Sequence, residues 1–128
     1  MPSYYSDLIV AANVGIMLFF TVAVAPTVFK VLPPEWSAAY VRTFFPKYFL
    51  FLGITTALAA TLAGSDAVRW GLGGAALLFF FNRYSLTPRI NAARDAGRDQ
   101  TFKTLHWVSV AINLVQLAGF IWILIAHG

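Results

Sequence analysis

The sequence predicts an all-α integral membrane fold, a bundle of four transmembrane helices, on three observations. Hydrophobic residues make up 59% of the 128-residue chain and charged residues 11%, against about 25% charged in an ordinary soluble domain. A soluble fold of this size cannot cover so much apolar surface with so few charges, whereas lipid can solvate it. Long uncharged runs recur, the first lying between Asp7 and Lys30, and eight of the nine Lys and Arg residues fall in two of the three connections between runs.

The first span is expected over residues 8–29. Its 22 uncharged positions match the roughly 20 needed to cross a bilayer, and Pro26 should kink or finish the helix. The first seven residues carry no Lys or Arg and the apolar run is too long for a signal-peptide core, so it is expected to stay in the mature protein.

Pro33 and Pro34 then stop one helix and can begin another, with Glu35 suited to the new helix's N-terminal dipole. Trp36, Tyr40 and Phe44 recur at i, i+4, i+8. With Arg42 and Lys47 they read as a short interfacial helix between spans 1 and 2, aromatics toward lipid headgroups. The same residues would also serve as an N-terminal extension of the second span, kinked at Pro46.

The second span is expected over residues 48–65. Gly53, Ala57, Thr61 and Ser65 repeat every four residues, a ridge of small side chains on which another helix can pack closely. The third span is expected over 67–86, although only Trp70 to Phe81 lacks polar side chains. Gly71 and Ala75 give it a second small-residue ridge, and it carries Asn82 and Arg83, the latter snorkelling outward. A polar helix–loop follows: Thr87 with Pro88 is a helix start, Asp95/Arg98 and Asp99/Lys103 have ion-pair spacing, and Gly97 weakens the helix between them. The fourth span, 105–126, contains no Asp, Glu, Lys or Arg.

Charge sets the expected orientation. Lys30, Arg42 and Lys47 precede the second span and Arg83, Arg89, Arg94, Arg98 and Lys103 precede the fourth, leaving Arg69 on the other side. The positive-inside rule puts both basic connections in the cytoplasm and both termini outside. This fits a bacterial inner membrane and would serve an endoplasmic reticulum protein equally well.

The net charge of +4 is spread between apolar runs and not along one soluble face, so nucleic acid is not an expected partner. The chain has no cysteine, which excludes disulfides, thiolate metal sites and cysteine nucleophiles. No nucleophile–base–acid set or phosphate loop is evident, so no catalytic residues are assigned.

His106, Ser109, Asn113 and Gln116 are spaced 3, 4, 3 and so form one polar stripe along the fourth span. Polar side chains in membrane helices turn toward the bundle interior, where Asn13 and Asn82 are candidate partners. The stripe is either interhelical glue or a path for a ligand or ion, with Arg83 near its inner mouth. His106 could bind haem or a metal, or anchor the helix at the interface beside Trp107. His127 lies 21 residues further on, roughly 31 Å by helical rise, so the two cannot share one haem within a protomer. No metal site or cofactor is expected.

Four stretches, VAPTVFKVLP at 24–33, FPKYF at 45–49, LTPRIN at 86–91 and FKTLHWVSVAINLVQL at 102–117, resemble the transmembrane-protein-205-like family of small four-helix membrane proteins. The resemblance implies the four-helix fold and marks His106 and Asn113 as positions to test. A looser similarity links the chain to two other four-helix groups, the copper-resistance D type and the haem-binding protoporphyrinogen-oxidase type. Both rely on histidines, of which the first span here has none, and Met17 is the lone methionine within a span.

The expected role is that of a non-enzymatic membrane protein, a self-associating bundle or an accessory subunit of a larger membrane complex. A small transporter or resistance protein with a polar path along the fourth helix is the alternative. A haem- or metal-binding redox protein using His106 is the second alternative.

Overall fold

The computed structural model of the chain describes residues 2–126, and every described element is helical. His127 lies outside the described residues. The described residues form four helices. Helix α1, residues 2–31, is an α-helix over Pro2–Phe19, a π-helical turn over Phe20–Val24 and an α-helix over Ala25–Val31. Helix α2 spans Pro34–Thr61. Helix α3, residues 66–95, runs over Asp66–Phe81, a π-helical turn Asn82–Leu86, and Thr87–Asp95. Helix α4 spans Asp99–Ala126.

Each turn has a local cause. Leu32 is extended (φ −94°, ψ 143°), as the residue before a proline must be, and Pro34 opens α2 where its missing N–H costs nothing. Ser37 Oγ reaches back to the Val28 and Leu32 carbonyl oxygens, both at 3.2 Å, the first of which also accepts from the Leu32 N–H at 3.0 Å, tying the start of α2 to the end of α1. Ser65 caps α3 by accepting from the Val68 N–H at 3.3 Å. Arg69 donates to the Ala63 carbonyl and to Asp66, each at 3.0 Å, closing the same turn. At the third turn Gly97 adopts φ +71°. Arg98 N–H donates to Ala93 O at 2.9 Å and Gly97 N–H to Arg94 O at 3.1 Å, the paired bonds of a Schellman stop.

Consecutive helices therefore run antiparallel, and α1 also packs on α4, closing the bundle in the order α1–α2–α3–α4. Met17, Leu52, Leu72, Phe79 and Phe120 are buried in its core. Large apolar side chains such as Val22, Leu77, Val115 and Ile125 stand on the outer surface, where lipid and not water suits them.

Three helices, over Tyr4–Val31, Pro34–Thr61 and Asp99–Ala126, are long and apolar enough to cross a membrane, as an integral membrane protein requires. At 28 residues each they reach about 42 Å. Helix α3 is as long, but Asn82 and Arg83 interrupt its apolar run.

Two expectations are revised. No separate interfacial helix follows Pro34: residues 34–61 are one helix that passes through Pro46. Aromatic packing on both sides of that proline holds it, since Phe44, Phe45 and Tyr48 all meet the ring of Phe20 with centroids 4.9, 5.3 and 4.9 Å away. The polar segment after the third span is not a separate helix–loop, because α3 continues to Asp95 and stops at Gly97. Asp95 pairs with Arg42 of α2 at 2.6 Å, and neither Asp95 with Arg98 nor Asp99 with Lys103 forms an ion pair.

Both π-helical turns precede a proline by the same offset. Phe20–Val24 ends two residues before Pro26 and Asn82–Leu86 two before Pro88. A proline ring clashes with the carbonyl four residues back. Shifting one turn to i→i−5 bonding, Ala25 N–H to Phe20 O and Thr87 N–H to Asn82 O, relieves the clash and widens the helix there.

Candidate functional site

The two widened turns flank a cavity of about 220 Å³ toward the end of the bundle that holds the first and third connections, lined by residues of all four helices. Phe20, Phe45, Phe49 and Leu114 give it apolar walls, while Arg42, Arg94 and His106 bring positive or titratable groups to it. None of the lining residues is acidic.

Helix α4 supplies the polar side. The stripe divides in two. Ser109 is buried and donates to Asn82 Oδ1 at 2.7 Å. Gln116 is buried and its Nε2 donates to the Ala75 carbonyl at 2.8 Å. Those two residues tie α4 to α3. His106 and Asn113 instead line the cavity, as one side of Ser109 does. Asn113 is only half-buried as a residue, yet its Oδ1 is enclosed without a hydrogen-bond partner among the described residues. The buried Tyr48 hydroxyl of α2 is beside it and likewise forms no hydrogen bond of good geometry. Unpaired buried polar atoms are rare in native proteins, and each such atom calls for water, a ligand or another explanation.

The other candidate residues lie elsewhere. Asn13 is buried and bound to α2, not to the stripe: its Nδ2 donates to Thr56 Oγ1 at 3.1 Å and its Oδ1 accepts from Thr55 Oγ1 at 3.0 Å. Asn82 is buried and meets only one partner, leaving Nδ2 unpaired among the described residues. Arg83 does not enter the cavity. Its guanidinium lies over the exposed ring of Tyr84, 4.9 Å from the centroid, with Nε enclosed and unpaired among the described residues.

Of the small residues, Gly53 is buried against the Phe80 ring, so close that a Cβ would come within 2.9 Å of it. Ala57 is half-buried, Thr61 is exposed, and Ser65 belongs to the turn and not to the ridge. Gly71 is exposed with open space beside it, and Ala75 is half-buried.

The mouth of the cavity contains residues that spacing alone does not single out. Arg94 lies 4.5 Å over the face of the Phe102 ring, and His106 stacks on Phe102 at 5.9 Å and 13°. Arg42 is engaged by Asp95 and by the Asn91 carbonyl at 3.3 Å, whereas Arg94 has no acidic partner among the described residues. Burial and the nearby Arg42 charge press the Arg94 pKa below its ordinary value, Asp95 opposing them. The i, i+4 spacing of Phe102 and His106 is the one sequence signal that could have located this stack.

Among the described residues no three His, Asp or Glu side chains are grouped to hold a metal ion.

Comparison with known proteins gives two matches. Residues 8–99 match a family described as a domain of unknown function (DUF4149). A 106-residue stretch is 33% identical to an uncharacterized protein of Aquifex aeolicus (strain VF5), covering 80% of this chain and 79% of that one. No solved structure matches the chain.

Proposed function

The chain belongs to the DUF4149 family, and from that premise we propose that it is a non-enzymatic polytopic membrane protein that takes up a small ligand in the cavity at its basic end. One observation carries this: Asn113 Oδ1 and the adjacent Tyr48 hydroxyl make no hydrogen bond of good geometry, to each other or to any other described residue, while Ser109 and, through its Nε2, Gln116 of the same stripe bond to α3. Cavities lined by apolar side chains with a few convergent polar groups are the usual form of a small-molecule site. The resemblance to the transmembrane-protein-205-like family is part of the same proposal. Its four stretches, far apart in sequence, contribute Phe29, Tyr48, Thr87, His106 and Asn113 to this one cavity.

In this reading α3 is a fourth span packed between α2 and α4, with Asn82 bonded to Ser109 and Arg83 snorkelling outward. Both termini then face outward, and the cavity opens toward the cytoplasmic side of a bacterial inner membrane. Movement of the ligand along α4 would make the protein a small transporter or resistance protein.

The test is an equilibrium binding screen on nanodisc-reconstituted protein with a panel of small cations, anions and amphiphiles, repeated with Asn113→Leu. Saturable binding that the substitution weakens is expected. If no member binds, or if Asn113→Leu changes nothing, the proposal fails. Flux of the bound compound into proteoliposomes then separates transport from binding.

A second reading, self-association or assembly with another membrane subunit, is favoured by a separate feature. A shallow groove between α3 and α4 is lined by Gly71, Gly74, Ala75 and Gly119, beside exposed Trp122, and open space lies next to all three glycines. Single-molecule photobleaching in native-membrane particles should show more than one copy, falling to one with Gly74→Leu. One-step bleaching throughout would remove this reading.

A further inference from the structure

We infer that the ligand of the cavity is an anionic amphiphile, a single carboxylate or phosphate head on a short apolar stem; this rests on the ligand-binding reading just given. Charge balance carries the head group. Two arginines and one histidine line the cavity and no acidic residue does. Asp95 neutralises Arg42 from outside the lining, so Arg94 is the cation left over. Its guanidinium is held on the Phe102 face, which fixes its position without consuming its five N–H donors. A planar, pre-placed fork of that kind is matched to a carboxylate or phosphate.

Shape carries the stem. The walls beyond the arginines are aromatic and aliphatic, including Phe20, Phe45 and Phe49, and would cost a hydrophilic anion its hydration without compensation. From the level of His106 to that of Asn113 is seven residues of α4, about 10 Å by helical rise. A cavity of 150 Å³ holds benzene, so 220 Å³ accommodates roughly nine heavy atoms in proportion. Those dimensions suit a medium-chain carboxylate, or the head and first carbons of an anionic lipid entering from the bilayer. An inorganic anion would leave the walls unfilled, and a cation would face Arg94.

The experiment uses the full chain in phosphatidylcholine nanodiscs and compares octanoate, octanol and octylammonium by saturation-transfer NMR, in the wild type, Arg94→Gln and Arg94→Lys. A parallel set of discs doped with phosphatidylglycerol is read by native mass spectrometry for retained lipid. Octanoate should bind about tenfold more tightly than octanol, a preference that Arg94→Gln removes and that Arg94→Lys, which keeps the charge but loses the fork, keeps only in part. Arg69→Gln, at the opposite end, should leave it intact. Retention of phosphatidylglycerol with no octanoate binding also supports the inference and identifies the source as the bilayer. Octanol or octylammonium binding as tightly as octanoate overturns the anionic class but leaves the ligand-binding reading standing. Binding of none of the three, with no retained phosphatidylglycerol, overturns both.

Discussion

Ser109 Oγ donates to Asn82 Oδ1 at 2.7 Å, and Asn82 opens the π-helical turn of α3. One hydrogen bond therefore fixes α4 to the place where α3 widens ahead of Pro88. It also separates the polar stripe into residues that bind a neighbouring helix and residues that face the cavity.

Ser109→Ala removes this bond and leaves both ends of the buried Asn82 side chain without a partner. Hydrogen bonds inside membrane bundles average about 0.6 kcal/mol and reach about 1.7. Given complete burial of Asn82, a loss near the upper figure is expected. Unfolding in mixed SDS micelles measures it; an unchanged midpoint would show that the bond is not made in the membrane.

Asn13 is held from both sides by Thr55 and Thr56, so the three side chains form one network between α1 and α2. Asn13→Leu and Thr56→Val should each destabilise, and the double substitution should cost clearly less than the sum. Simple additivity would mean the network is not a unit.

Gly53 and Gly74 should respond in opposite ways to alanine. A Cβ at Gly53 meets the Phe80 ring at 2.9 Å, and displacing the ring should cost about 1 kcal/mol, recovered with Phe80→Leu. At Gly74 nothing lies within 4 Å, so Gly74→Ala should be neutral or slightly stabilising through helix propensity. The pair can be compared in the same unfolding assay, and equal effects would contradict the packing described.

The Arg42–Asp95 pair is short, 2.6 Å, but its side chains are 42% and 62% exposed. Exposed pairs contribute about 0–1 kcal/mol and are screened by salt. Asp95→Asn should therefore change stability by less than about 1 kcal/mol, with a difference that shrinks as salt is added. A larger, salt-independent loss would indicate that the pair is sheltered in the membrane-bound protein.

The helices themselves were legible because charge-free runs and the Pro33–Pro34 break are direct consequences of bilayer and backbone chemistry. The partners of the polar residues were less so. Periodicity placed His106, Ser109, Asn113 and Gln116 on one face, but which helix each meets depends on how α3 and α4 cross. Asn13 binds Thr55 and Thr56, whose hydroxyls in an apolar run are easily credited to their own helix, as the Phe51 carbonyl, 3.0 Å from Thr55 Oγ1, is an alternative acceptor for the same proton. Gly97 reads as a weak point in a helix, and only its positive φ shows it to be the stop. The cavity was hidden for a similar reason. Pro26 and Pro88 announce distortion, yet nothing local says that both distortions widen their helices toward the same space.

Whether that space is occupied is open to direct measurement by native mass spectrometry of the protein ejected from native-membrane nanodiscs, without detergent. A small molecule retained by the wild type and lost in Asn113→Leu is the expected result. A bare polypeptide mass for both proteins would contradict a ligand-binding role for the cavity.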